Sequence, residues 1–560
     1  MTSVMKRVLQ FGAIIVGAAL VAGLTPAPRS TAAEAPQARP NIVVVMSDDQ
    51  AVESMRVMAN VNALLGEQGA TFDNNYVSFP LCCPSRTTFL TGQYGHNHTV
   101  MGNAAPQGGY EKLAPTHVNT LPAWLKVAGY HTVHIGKYLN GYGRQRPTEV
   151  PAGWDEWFGS VDPSTYRFYD YTLNENGKLV HYGSTAGAYQ ADVYTAKAVD
   201  AVKRLAARPE PFFLSVAYLA PHSGMPRESD DPSNLATPAP APRHRNRFAT
   251  EPLPTTPAFN EADVSDKPLA IRRRPLFGAL RVAGITEMYR QRLESLLAVD
   301  EGVAAIVRAL QDSGELSRTL FVYTSDNGFF HGEHRIPSGK VQHYESSVRV
   351  PLIMRGPGVP PGVRVTQPTV NVDLAPTLID AANAKAGRAT DGVSLLALLA
   401  DRTRFVGRDV LLETPTYAAI HTPRYVYVEH NTGERELYDL ATDPNELASL
   451  HDSPSHAQIR SDLARRLLAL RACKAAGCRR GPTLSVASRC VGQRHRVVLA
   501  GGDTRLVTRV DWIYRGRAAG SDRKRPFQAA LRGVAGVARA NVTLADGRRA
   551  SIDRRLAACR

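Results

Sequence analysis

Long apolar runs are scarce in this chain. Past residue 24 no stretch holds the roughly 20 consecutive apolar residues that a helical bilayer span needs, so no integral membrane span is expected in the body of the sequence. Zinc-finger cysteine pairs, the aromatic motif of RNA-binding sheets and a basic helix with heptads are all missing. The formal charge of +15 therefore does not read as nucleic-acid binding. It reads as an Arg-rich solvated surface, with an acidic polysaccharide or a negatively charged surface as the alternative partner. No internal repeat is present, which argues against a solenoid. Cysteines are few, six in 560 residues, and unevenly placed: Cys82 and Cys83 are adjacent, and Cys473, Cys478, Cys490 and Cys559 fall in the last fifth.

The one sizeable apolar run, residues 11–24, follows Lys6 and Arg7 and precedes Pro26, Pro28 and Ser30-Thr31-Ala32-Ala33. That order reads as a secretory signal peptide over 1–33, cleaved near Ala33, with the mature protein secreted or extracytoplasmic; an uncleaved anchor is the alternative. In an exported chain the four late cysteines read as two disulfides. Of three connectivities the expected one pairs Cys473 with Cys478 and Cys490 with Cys559; zinc is the weaker rival because Cys-x-x-Cys pairs are missing. Alternating runs such as 496–499 and 509–514, with turn signals between them, predict a small disulfide-bonded β-rich module over 473–560. A chain of this length has room for a large domain before it.

Within that domain, residues 41–46 form a β-branched run of the kind buried on both sheet faces, and it ends in Ser47-Asp48-Asp49-Gln50. Residues 319–324 repeat the design and end in Ser325-Asp326-Asn327-Gly328. Carboxyl ends of strands are where open α/β sheets bind ligands. Asp48, Asp49, Asp326 and Asn327 supply hard oxygen donors that suit Ca²⁺, with Mg²⁺ left open. A strand over 129–138 ends near Lys137, and another over 211–218 leads to Ala220-Pro221-His222. Residues 226–280, rich in proline, read as a surface loop, and helical spacing returns over 288–311. His331-Gly332-Glu333-His334 lacks the His-Glu-x-x-His order of a zinc helix.

The adjacent thiols are a chemical hazard in an oxidising compartment, since neighbours do not easily bridge and free thiols oxidise. Cys82-x-Pro84-Ser85-Arg86-x-x-x-Leu90-Thr91-Gly92 resembles the signature of the type I sulfatases, and Gly129-Tyr130-x-Thr132-x-x-x-Gly136-Lys137 resembles their second signature. The similarity extends over about 40–470. It implies an alkaline-phosphatase-like α/β sandwich with a mostly parallel central sheet (38–470, insertion 226–280) ahead of the C-terminal β module. It also implies conversion of Cys82 to formylglycine by a formylglycine-generating enzyme. Arg86 and Lys137 would then hold the hydrated aldehyde and the ester, while His222 and Lys340 would serve the sulfate and its leaving group. The metal would rest on Asp48, Asp49, Asp326, Asn327 and the group derived from Cys82.

The implied activity is sulfate-ester hydrolysis on a sulfated small molecule or sulfated glycan. The run Gly136-Lys137-Tyr138-Leu139-Asn140-Gly141-Tyr142 is similar to the N-acetylglucosamine-6-sulfatase branch, although Leu139 stands where many relatives have histidine. Alternatives are an arylsulfatase of broad specificity, a phosphonate or phosphodiester hydrolase of the same fold, and a non-catalytic binder of acidic glycans.

Overall fold

The computed structural model describes residues 39–403 and 407–559; the expected signal peptide lies outside them. Four strands set the frame: β1 (Asn41–Ser47), β2 (His131–Gly136), β3 (Phe212–Ala217) and β4 (Thr319–Ser325). They run parallel, side by side in the order β4-β1-β3-β2, at the centre of a ten-stranded sheet. Glu156–Ser160 extends the parallel set beside β2. Antiparallel pairings of Leu352–Arg355 with β4, and of Tyr171–Glu175 with Glu156–Ser160, begin the two flanks.

Side chains alternate across a strand, so Ile42, Val44 and Met46 enter one apolar layer while Val43 and Val45 enter the other. Burial of both faces is what makes an unbroken β-branched run favourable, at about 2 kcal/mol for each large apolar side chain. Helix α1 (Cys82–Thr91) packs in the first layer. Helices α2 (Gln190–Leu205) and α3 (Ala279–Asp312) pack in the second. α3 begins well before residue 288 because its first turns lie at the edge of the core, with Leu280 87% exposed and Ile285 buried, so they carry little apolar signal.

Register aligns the carboxyl ends. Ser47 lies opposite Ser325, Met46 opposite Ala217, and Gly136 opposite Ala217, so the residues that follow these strands emerge along one edge. α1 delivers its first turn to that edge and stops at Gly92, whose N–H donates to the Thr88 carbonyl at φ 65°. A Cβ there would lie 2.8 Å from Thr390 Cγ2. Gly92→Ala is therefore expected to cost about 2 kcal/mol, from the left-handed backbone and the clash together, read as a lower urea midpoint at unchanged slope.

The proline-rich residues 226–280 contain only short helical turns such as Leu269–Arg272, yet they do not form a free loop. Leu235, Ala239, Ala241, Leu253 and Ile271 are buried, and the side chain of Lys267 is enclosed beside Glu261. Apolar residues between the prolines tie the segment down.

Past the main sheet, Val410–Glu413, Tyr417–His421, Tyr425–His430 and Arg435–Asp439 form an antiparallel sheet against the helix Ala457–Arg471. The C-terminal residues form a three-stranded and a four-stranded antiparallel sheet around Val497, Val510, Trp512 and Val542. The disulfides are Cys473–Cys478 and Cys490–Cys559, the pairing expected. Buried Arg466 joins this module to the rest, bonding Asp546 within it and Asp409 outside it.

Candidate active site

Asp48 and Asp49 follow β1, Lys137 follows β2, Asp326 and Asn327 follow β4, and His222 lies in the loop after β3. Cys82 opens α1, with Arg86 one turn later. Except for partly covered His222 and Lys340, these side chains are essentially excluded from solvent. The structure brings them all together. Cys82 Sγ lies 3.6 Å from Asp48 Oδ1, 4.0 Å from Asp49 Oδ1 and 2.9 Å from Lys340 Nζ. Lys137 donates to Asp48, and Lys340 donates to Asp49. Arg86 donates through Nε to Asp326 Oδ2 at 2.8 Å and through a terminal nitrogen to the Lys137 carbonyl at 2.9 Å, tying three elements together.

The backbone turns sharply to achieve this. Asp49 adopts φ 66°, an unusual state for a residue with a Cβ. It is held there as its own N–H donates to Asp326 Oδ1 at 3.0 Å and Asn327 Nδ2 donates to its Oδ1 at 2.7 Å. Asn327 Oδ1 is buried and receives no hydrogen bond among the described residues. Lys340 comes from a loop anchored three residues later, where His343 Nε2 lies 3.4 Å from Glu436 Oε1 and Tyr344 Oη donates to Glu436 Oε2 at 2.9 Å.

Charge states follow from burial and neighbours. Burial opposes ionisation of Asp48, but Lys137, His222, Arg86 and Lys340 outweigh it and hold the carboxyl below its usual range. The Cys82 thiol is pushed up to about 12, by burial first and then by Asp48 and Asp326, against the pull of Lys137 and Lys340. An unmodified thiol at this position would be protonated and a poor nucleophile. His222 Nδ1 lies 2.7 Å from the Ser223 carbonyl and so carries a proton. In the neutral ring this leaves Nε2, 3.7 Å from Asp49 Oδ2, as an acceptor.

Sequence reasoning missed several neighbours. Arg292 of α3 donates to the carbonyls of Pro221 and Asp49 and lies 3.7 Å from the Phe329 ring centroid, bracing the Asp49 turn from the opposite layer. Tyr166 covers Lys137 at 4.9 Å and is held by Asn140 Nδ2 at 2.6 Å. Asn103 Oδ1 receives the Cys83 N–H at 3.0 Å. Asn140 adjoins the Lys137 signature and was visible there; Arg292, Tyr166 and Asn103 carry no local signal. Leu139 is 2% exposed and belongs to the apolar layer, so it offers this edge no polar atom. A cleft of about 420 Å³ shares the adjoining loops, lined by Val52, Tyr289, Phe329 and Glu345, but the nine clustered side chains are absent from its wall.

The fold is that of an alkaline-phosphatase-like hydrolase, shared with a solved structure of a protein bound to its substrate D-glucosamine-2-N,6-O-disulfate. That similarity has a TM-score of 0.62 at 25% identity and covers 77% of this chain and 97% of the other. The sulfatase family profile matches residues 40–384, and the C-terminal profile of N-sulphoglucosamine sulphohydrolase matches 332–473. This chain is 34% identical over 511 residues to an arylsulfatase of Volvox carteri, covering 80% of this chain and 77% of that protein. It is 31% identical over 493 residues to the N-acetylglucosamine-6-sulfatase of Homo sapiens, covering 79% and 86%. The chain belongs to the sulfatase family and is a sulfuric ester hydrolase.

Proposed function

We propose that this enzyme is exported and removes 6-O-sulfate from glucosamine units of sulfated glycans, using formylglycine at position 82 and Ca²⁺. Among the described residues no helix is long and apolar enough to cross a membrane. The observation that carries the substrate is the similarity, over more than three quarters of the chain, to an N-acetylglucosamine-6-sulfatase and to a protein solved with a 6-O-sulfated glucosamine.

The residues fit both groups. Asp48, Asp49 and Asp326 with the unpartnered Asn327 Oδ1 form an all-oxygen donor set suited to a hard cation. Cys82 sits at the amino end of a fully buried helix, with its Sγ 3.6 Å from Asp48 Oδ1 and 4.0 Å from Asp49 Oδ1 of this set. When present, the cation neutralises sulfate oxygens and the hydrated aldehyde supplies the oxygen nucleophile.

The chain's own groups do the rest. Lys137, fixed between Asp48 and the Tyr166 ring, binds an oxygen of the sulfate. Lys340 carries only donors and protonates the leaving oxygen at Nζ. His222, with Nδ1 committed to Ser223, accepts a proton at Nε2. Arg86 keeps Asp326 and the Lys137 backbone in place. Exclusion of water around these buried groups strengthens each electrostatic contact.

A panel of sulfated sugars tests the substrate. We expect kcat/KM for glucosamine 6-sulfates to exceed that for the 2-N- and 3-O-sulfates and for galactose 6-sulfate by at least about tenfold, the discrimination that one buried polar contact provides. Equal rates across the panel, or faster turnover of an aryl phosphonate monoester, would overturn it.

A further inference from the structure

Positive charge is not spread evenly over the chain. Residues 473–560 hold 20 of the 66 Lys and Arg but 5 of the 51 Asp and Glu, whereas residues 1–472 hold 46 of each. The entire surplus of +15 therefore belongs to the C-terminal module, which begins where the matched family region ends at residue 473. Eighteen of its 20 basic residues are arginine.

The structure arranges part of this charge on one surface. The three-stranded sheet consists of β5 (Ser485–Val491), β6 (Arg494–Ala500) and β7 (Gln528–Arg532). Along β6, His495, Val497 and Leu499 are buried, while Arg494 and Arg496 are exposed on the other face. Antiparallel register sets Arg489 opposite Arg496 and Arg494 opposite Arg532, all four exposed. With strands about 4.8 Å apart and like-facing residues about 7 Å apart, four guanidiniums share a patch about 10 Å across. Exposed Arg523, Lys524 and Arg525 sit in the loop that leads into β7.

Like charges directly across a strand pair destabilise a sheet. Elsewhere in the module such cost is avoided: Arg509 pairs with Asp511, and Arg539 pairs with Asp401 and Asp553. Among the described residues, the four arginines of the sheet face have no ion-pair partner, and Arg496 bonds only the neutral Gln528. An external polyanion would remove the repulsion. The forked donors of arginine match the oxygens of sulfate. Nucleic acid fits less well, because the module's Trp512, Tyr514 and Phe527 are all buried and leave no aromatic platform on which a base could stack.

We propose that the outer face of this sheet is a second binding site, separate from the edge around Cys82, for a sulfated glycan chain. The choice of ligand rests on the sulfated-glycan reading above. Such a site holds the polymer between turnovers and raises the local concentration of its sulfate esters at the enzyme. Small substrates gain nothing from it.

The test uses the full chain, a fluorescent heparin oligosaccharide and the variant R489Q/R494Q/R496Q/R532Q. The variant is expected to bind heparin at least tenfold more weakly at about 0.1 M salt, with a shallower salt dependence because fewer counterions are released. Turnover of 4-nitrophenyl sulfate should stay within twofold of the parent, which also reports intact folding. If that variant does not fold, R523Q/K524Q/R525Q carries the same expectation of weaker heparin binding. Unchanged heparin affinity in the folded variant, or tighter binding of duplex DNA than of heparin by the parent, would overturn the proposal. Weakened heparin binding with no release of glucosamine 6-sulfate by the parent would leave this site standing and sink the substrate reading; the reverse pair of results would do the opposite.

Discussion

Cys82→Ala is expected to lower kcat/KM for any sulfate ester by at least about 10⁴-fold, because under the proposed formylglycine assignment the substitution removes the nucleophile itself. Cys83→Ala should retain most activity, since Cys83 is a fully buried member of the apolar layer, and should cost about 1 kcal/mol of stability. The contrast separates a reactive position from a packed one only one residue away. Peptide mass spectrometry provides the direct check. Conversion of Cys82 exchanges sulfur and two hydrogens for one oxygen, a loss of about 18 Da. With its thiol pushed up to about 12 by burial, unmodified Cys82 would stay protonated at pH 7, so the thiol is a poor substitute for the aldehyde hydrate. Full sulfatase activity from protein whose Cys82 is an unmodified thiol would refute the formylglycine assignment.

The second large effect is expected at Asp48. Asp48→Asn keeps the shape of the side chain but removes a charge that faces Lys137 and Arg86 in a site closed to solvent. Leaving a buried lysine without its counter-charge should destabilise the fold by about 3 kcal/mol. Losing one of three carboxylates should also empty the proposed cation site, with activity falling by about 10²- to 10³-fold. Metal content by elemental mass spectrometry and the urea midpoint measure the two consequences separately. A variant with full metal content and parental turnover would remove Asp48 from the ligand set. Loss of stability with full metal retention would leave it only a partner of Lys137.

The strand ends were legible because their signal is local. A β-branched run that stops at Asp48-Asp49 or Asp326-Asn327 reports both a buried strand and the acidic residues at its end. Lys137, His222 and Lys340 were different: each is an ordinary polar residue near a strand or in a loop, and only similarity to the sulfatases singled it out. Arg292 was invisible for a further reason. It lies within the helical spacing of α3, where a buried arginine looks like any polar position, and its task of bonding the Asp49 and Pro221 carbonyls depends on a helix packed from the opposite layer. The segment 226–280 was misleading in composition, since its prolines exclude regular elements without preventing burial of the apolar residues between them.

The C-terminal module divides in the same way. Its strands, its disulfide cysteines and its charge could all be counted along the chain. That Arg489 faces Arg496, and Arg494 faces Arg532, depends on strand register, which links residues distant in sequence. By itself the sequence determined the elements, the buried runs and the chemical groups available, because propensity, alternation and residue type act over a few neighbours. Tertiary structure alone decided which groups meet. Parallel pairing of β4, β1, β3 and β2 placed four strand ends on one edge, and burial there brought Cys82 within 4.0 Å of two carboxylates and a lysine drawn from distant parts of the chain.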